Sequence, residues 1–262
     1  MARCTLSGSK RLGQCPMTTG NFSQIAHVYD HFNDLEIYER WLDFTLTSRD
    51  QAPGKVLDAA CGTGWFTQLL APFCGQILGF DYDPAMIKVA QEEPGNSENS
   101  AYLVADLLDL SALDQDYDLI TCYADSLCFL AGPDQVVKAL NELFGRLAPG
   151  GQLLFDVWTP QQIEDFDGFS YFDSDDRYAL LWDSESDLDQ LSVQHYLTVF
   201  EQVGRHYQRT DVSLEERTYP LAWYQSALKE AGFRQVEVLV DFGQAYYQEG
   251  QTADRWFFRA SK

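Results

Sequence analysis

The chain has no run approaching the roughly 18 consecutive apolar residues that a membrane-spanning helix needs, and its first residues lack the apolar stretch of a secretory signal. Both absences lead us to expect a cytoplasmic protein with no membrane partner. Basic residues are scarce, with 18 Lys and Arg against 40 Asp and Glu and a formal charge of −22. A surface of that sign repels phosphate backbones, so nucleic acid is disfavoured as a partner, and the excess acid reads as a well-solvated exterior. The four histidines, His27, His31, His195 and His206, receive no catalytic assignment. The cysteines are scattered: Cys61, Cys74, Cys122 and Cys128 lie in apolar segments, and Cys4 and Cys15 lack metal-knuckle spacing or a histidine cluster. Free thiols and no bound metal are therefore expected.

What is present is a chain of 262 residues with 45% hydrophobic content, enough for a large core in one elaborated domain. Residues 1–20 are polar and without periodicity and are expected to form a disordered extension, of which 1–16 is dispensable. A helical prelude follows from Phe22, with Leu35, Tyr38, Trp41, Leu42 and Leu46 at spacings of three and four. An alternation of strands and helices then predicts strands over 55–60, 76–81, 101–105, 117–122 and 152–157, which specifies an α/β fold with a parallel sheet covered by helices. Residues 21–158 make up the prelude and core. Residues 159–219 change to alternating aromatic and aliphatic positions, such as Leu191, Val193, His195, Leu197 and Val199, and predict an antiparallel β insertion serving as a substrate lid. Residues 220–262 supply a helix closed by Gly232 and two strands that complete the sheet. The stretch from Glu164 to Asp189 carries ten carboxylates and one arginine; Leu188 and Gln194 occupy the places where a calcium loop needs glycine and a bidentate acid, so it reads as a solvated loop.

The segment with the most chemical content is Val56-Leu57-Asp58-Ala59-Ala60-Cys61-Gly62-Thr63-Gly64, an apolar strand ending in a glycine turn that opens a helix. Glycine there lets backbone approach a ligand closely. Asp81 ends the next strand 19 residues beyond Gly62, where a carboxylate can accept both hydroxyls of a ribose. A dinucleotide fingerprint would place a small residue where Thr67 stands, which makes a nicotinamide cofactor and an oxidoreductase the weaker reading.

These residues resemble the class I S-adenosylmethionine (SAM) methyltransferases, whose strand-end acid and glycine turn match Asp58-x-Ala60-x-Gly62-x-Gly64, with Ala60 in place of the usual first glycine. The likeness continues through Asp81, Asp106-Leu107 and Tyr117-Asp118-Leu119-Ile120 in the family's order. Tyr123-Ala124-Asp125-Ser126-Leu127, the strand ending Phe155-Asp156-Val157-Trp158, and the prelude Tyr29-Asp30-x-Phe32 with Tyr38 and Trp41 are similar to a bacterial group related to sugar-amine N,N-dimethyltransferases and, more distantly, glycine N-methyltransferase. The resemblance implies a Rossmann-like seven-stranded sheet of order 3-2-1-4-5-7-6 with the last strand antiparallel. It implies S-adenosyl-L-methionine as cofactor, with Asp81 on the ribose and Asp106 and Leu107 at the adenine. Tyr29, Trp41, Asp58, Ala60, Gly62, Gly64, Tyr82, Met86 and Tyr123 then line the rest of the cofactor site. Tyr38, Tyr123 and Asp125 are the candidates nearest the transferred methyl, although Asp125 also suits the cap of a short helix and Asp106 the cap of a turn. The expected reaction is methylation of a small-molecule acceptor, an amine by analogy with those relatives, by a monomer or homodimer. A SAM-binding regulatory protein and a protein methyltransferase are the alternatives.

Overall fold

The structure, a computed structural model, describes residues 22–29, 31, 35–93 and 95–262. The extension expected over 1–20, with Cys4 and Cys15, lies outside the described residues, as do Asp30 and Phe32. Helix α1 (Ala26–Tyr29) and helix α2 (Leu35–Thr47) form the prelude. The core then alternates β1 (Lys55–Ala59), α3 (Trp65–Leu70), β2 (Gln76–Asp81), α4 (Pro84–Glu92), β3 (Ser100–Val104), β4 (Tyr117–Cys122), α5 (Pro133–Arg146) and β5 (Leu147–Trp158). Helix α6 (Pro160–Asp165) leads into four strands, β6 (Ser170–Ser174), β7 (Tyr178–Asp187), β8 (Ser192–Val203) and β9 (His206–Arg217). Helix α7 (Leu221–Ala231), β10 (Gln235–Val240), β11 (Ala245–Tyr246) and β12 (Arg255–Ser261) close the chain.

The main sheet runs β11-β10-β12-β5-β4-β1-β2-β3. From β3 to β5 all pairings are parallel, and β12 is antiparallel to both β5 and β10. This is the Rossmann-like order implied by the resemblance, with the short β11 added at one edge. The middle strands are apolar on both faces because helices cover both: Val56, Leu57, Leu119 and Ile120 are wholly buried. Phe155 and Phe258 stack across the β5–β12 pair with centroids 4.6 Å apart, and side chains of this size contribute about 1.5–3 kcal/mol each when fully buried.

The insertion is a separate antiparallel sheet of order β6-β7-β8-β9. Its inner face packs Leu180, Val199 and Val212 against Ile25 and Val28 of the prelude. Ser23 in turn donates to Asp83 Oδ2 at 2.5 Å, tying that prelude to the start of α4. The acidic stretch 164–189, read above as a solvated loop, instead forms α6, β6 and β7. On β7 the exposed Asp183, Glu185 and Asp187 alternate with Ser184 and Ser186, and Asp183 stands opposite Tyr196 and Glu185 opposite Gln194 on β8. Acids alternating with serines over 183–187, with no apolar residue there on the inner face, hide a strand whose outer face is wet. Among the described residues, Cys61, Cys74, Cys122 and Cys128 are free thiols, and no helix is long and apolar enough to cross a membrane.

Candidate active site

A cleft of about 590 Å³ opens beyond the C-terminal ends of the central parallel strands, where open α/β sheets bind ligands. Its floor is the turn after β1. Ala60, Gly62 and Gly64 all have positive φ, at 55°, 55° and 83°. A Cβ on Gly62 would meet nothing within 4 Å, so the cleft has room at the backbone there. A Cβ on Gly64 would stand 2.8 Å from the Tyr102 ring and 3.0 Å from Ala90 Cβ. Gly64 is thus required by packing behind the turn and does not line the cleft. Ala60 does line it, in a left-handed conformation that costs L-residues about 1–2 kcal/mol. Ala60→Gly is therefore expected to raise stability by about 0.5–1 kcal/mol after the extra unfolded-chain entropy is subtracted, measured by urea denaturation; destabilisation would show that the methyl group packs productively.

Five carboxylates line the cleft, Asp58, Asp81, Asp83, Asp106 and Glu215, and three of them surround the turn and the strand ends. Asp58, 3% exposed, accepts from Thr67 Oγ1 at 2.5 Å and Thr121 Oγ1 at 2.7 Å. Burial pushes its carboxyl up to about 6, the two hydroxyls opposing the shift and the Asp81 charge adding to it. Asp81 accepts from Gly62 N at 2.9 Å through Oδ2 and from Asp83 N at 2.8 Å through Oδ1. Each oxygen keeps a second lone pair for a hydroxyl donor, and burial holds the carboxyl above its ordinary range despite those backbone bonds. Asp106 caps its own turn, accepting from Leu108 N at 2.8 Å, and lines the cleft beside Leu107 and Leu108.

Aromatic side chains form the facing wall. Trp41 stacks on Tyr123 at 5.9 Å and 10°, with Tyr38 edge-on to Trp41 at 5.4 Å and Phe66 edge-on to Tyr123 at 5.0 Å. Tyr123 presents its ring. Thr45 Oγ1 donates to Trp41 O at 2.8 Å, which leaves the Tyr123 hydroxyl to donate to Thr45 Oγ1, also at 2.8 Å. Burial pushes that phenol further above its ordinary range, so it stays protonated. Phe22 and Phe129 pack edge to face at 5.4 Å, and Ser213, Leu214 and Glu215 of β9 contribute a lid wall. Tyr82 and Met86 also line the cleft, Tyr82 being 72% exposed. Among the described residues that line it there is no lysine, arginine or histidine.

Of the residues singled out in the sequence, Tyr38, Trp41, Asp58, Ala60, Gly62, Asp81, Tyr82, Met86, Asp106, Leu107 and Tyr123 converge on this one cleft. Tyr29 ends α1, and its side chain lies outside the described residues. Asp125 does not line the cleft: it begins the 3-10 helix Ser126–Phe129 without a side-chain cap bond, and its carboxylate turns to Arg255 at 2.7 Å. Sequence reading missed Thr67 and Thr121 as partners of Asp58. The available signal was a threonine in each of two otherwise apolar buried segments.

A family profile described as a methyltransferase domain matches residues 56–151. The Bacillus subtilis protein YqeM, whose name assigns it to the methyltransferases, is 31% identical over 92% of this chain and 97% of its own length. A SAM-dependent methyltransferase of Clostridium acetobutylicum superposes with a TM-score of 0.76 at 22% identity, covering 92% of this chain and 98% of that one. SAM-bound CalS10 of Micromonospora echinaspora, an amino pentose methyltransferase, superposes with a TM-score of 0.70 at 18% identity, covering 91% and 95%.

Proposed function

This chain belongs to the class I S-adenosylmethionine-dependent methyltransferases, and from that premise we propose that it methylates a small molecule, at a nitrogen in preference to oxygen or carbon. The observation that carries this reading is the lining of the cleft: carboxylates and aromatic faces, without a basic side chain among the described residues. Such a surface suits two positively charged partners, a sulfonium and a protonated amine. It offers no cation for an anionic nucleophile.

The residues present fit the cofactor. Gly62 leaves open space where backbone must approach a ligand, and Asp81 keeps two lone pairs for the ribose hydroxyls. Asp106 and Leu107 hold the adenine edge and face; Met86, Tyr82 and Trp41 bound the rest, and Asp58 sits beneath the turn at Ala60. Gly64 acts by packing the turn. Bound SAM supplies an electrophilic methyl group on a cationic sulfur. The chain supplies alignment and exclusion of water, which is most of what displacement at that methyl requires. Tyr123 serves as wall, Tyr38 as the phenol beside the acceptor, and the cleft carboxylates receive the proton that an ammonium sheds before it becomes nucleophilic. Residues 159–219 act as the lid, through Ser213, Leu214 and Glu215.

The test is a screen of a bacterial metabolite extract with methyl-labelled SAM and the full chain. Label is expected in a small amine. Label appearing only on a hydroxyl, only on protein, or nowhere under single-turnover conditions despite cofactor binding would overturn the proposal in favour of an O-methyltransferase, a protein methyltransferase or a cofactor sensor, respectively.

A further inference from the structure

Behind the aromatic wall, where the core sheet meets the lid, lies a group of buried charged side chains that the methyl-transfer reading leaves unused. Asp125 follows β4 and stands between Ala124 and Ser126, both of which line the cleft. Glu216 lies on β9 directly after Ser213, Leu214 and Glu215, which line the same cleft from the lid side. Asp125 and Glu216 are only 8% and 6% exposed, and their carboxyls are in hydrogen-bonding contact. Trp158 Nε1 donates to Glu216 Oε2 at 2.5 Å. Arg255 Nη1 pairs with Asp125 Oδ1 at 2.7 Å and with Asp156 Oδ2, and its guanidinium covers the Trp158 ring at 3.7 Å. From β8, His195 accepts at Nδ1 from Trp182 Nε1 at 3.1 Å, so its proton sits on Nε2, 3.4 Å from Glu216 Oε1. Ser184 of β7 contacts the same Nδ1 at 2.7 Å, and the Cys128 thiol faces the pair from the 3-10 helix, held protonated by burial.

The charges decide the state of this group. Burial pushes His195 down to about 4, so it is neutral at physiological pH. One arginine already faces two carboxylates, Asp125 and Asp156. Burial, and then the Asp125 charge and hydrogen bond, push Glu216 well above its ordinary range, so it is protonated and donates its proton to Asp125. Glu216 and His195 therefore meet as neutral groups.

We propose that the Asp125–Glu216 contact is a clasp that sets the width of the cleft, and that Glu216 is a positioning residue for methyl transfer. The clasp joins lid wall to core wall immediately behind the space they enclose. The core side of the joint is anchored, because Asp125 is pinned by Arg255, which also pairs with Asp156 of β5. The lid side, β9, is the edge strand of its sheet and is the part that yields. Because the contact contains a single hydrogen, removing it sets two buried carboxylates against each other, and β9 moves away.

The inference rests on the cofactor reading only for its effect on ligand retention; the clasp itself is tested separately. Amide hydrogen exchange over residues 213–218 of the full chain, corrected for intrinsic rates, is measured from about pH 6 to pH 9 for the wild type, Glu216→Gln and Glu216→Ala, together with the dissociation rate of S-adenosylhomocysteine. In the wild type, exchange and dissociation are expected to quicken by about tenfold as pH rises, the change that follows loss of one hydrogen bond of ordinary strength. Glu216→Gln donates an N–H to Asp125 at every pH and still accepts from Trp158, so it is expected to stay protected and pH-independent. Glu216→Ala should be open throughout. An alkaline opening in Glu216→Gln equal to that of the wild type overturns the clasp, as does wild-type protection in Glu216→Ala; if Glu216→Ala does not fold, the Gln comparison decides. Wild-type protein that shows the exchange pattern but binds no S-adenosylhomocysteine overturns the cofactor reading and leaves the clasp standing.

Discussion

Replacing Arg255 by methionine is expected to lower the free energy of unfolding by about 3–5 kcal/mol, the loss typical when one partner of a buried ion pair is removed. Methionine keeps an apolar stem against Trp158 but leaves Asp125 and Asp156 without their cation. Asp156 is wholly buried, and its Oδ1 already has no hydrogen-bond partner. The remaining acceptor bond, from Asp125 N at 3.4 Å, is long. In the variant the two buried carboxylates have no cation beside them, so their charged forms carry a desolvation penalty that their neutral forms do not. The destabilisation is therefore smallest at low pH and grows as pH rises. Urea denaturation at pH 5 and pH 8 should show the deficit growing with pH; a loss below about 1 kcal/mol at both would mean that the three side chains are solvated more than their burial indicates. Wild-type stability carries a smaller trend of the same sign from Glu216, whose raised folded pKa makes its contribution complete below its ordinary value near 4.5 and progressively lost above it.

This group shows where sequence reasoning stops. Asp125 stands out in the sequence by its position after β4, and its neighbours Ala124 and Ser126 line the cleft while its own carboxylate turns to Arg255. What could not be read was which way one side chain would turn, because the backbone at Ala124 and Asp125 is left-handed and a local pattern predicts no positive φ at two consecutive non-glycine residues. Its partners, Glu216 and Arg255, come from segments far along the chain, and no spacing rule links them. The Asp58–Thr67 bond is different. Thr67 lies on α3, 9 residues after Asp58 on β1, and the sequence alone presents it only as a mismatch to a dinucleotide fingerprint, whereas its hydroxyl is the nearer of the two donors to Asp58. The core strands are legible because each is an apolar run bounded by a turn residue or a helix start, whereas their order follows from the family resemblance alone. The acidic half of β7 is not legible, because Ser184 and Ser186 stand on its inner face where the alternation needs apolar residues.

Asp81→Ala is expected to weaken S-adenosylhomocysteine binding by about 1.5–3 kcal/mol, a loss of roughly 10- to 150-fold, as two hydrogen bonds to a charged acceptor disappear. The structure adds a complication that can be separated by a second variant. Asp81 also accepts from Gly62 N and Asp83 N, so removing it loosens the turn and the start of α4 as well as the ribose contact. Asp81→Asn keeps an acceptor oxygen for one of those amides while losing the charge and one lone-pair face. If the ribose contact dominates, Asn and Ala should lose comparable affinity while Asn retains more of the wild-type thermal stability. If the turn dominates, affinity should follow stability through the series. The pH dependence supplies an independent check. Burial raises the carboxyl above its ordinary range, and hydroxyl donors favour the ionised form, so ligand binding takes place with loss of a proton wherever the free protein holds one. Wild-type affinity should therefore fall as pH is lowered through that raised value, with proton release measurable by calorimetry in buffers of different ionisation enthalpy. In Asp81→Ala this component of the acid-side decline should vanish, leaving whatever Asp58 contributes through its own carboxyl near 6. Unchanged affinity in a folded Asp81→Ala variant, or an acid-side decline identical to that of the wild type, would remove Asp81 from the ribose and leave its two backbone bonds as its only role.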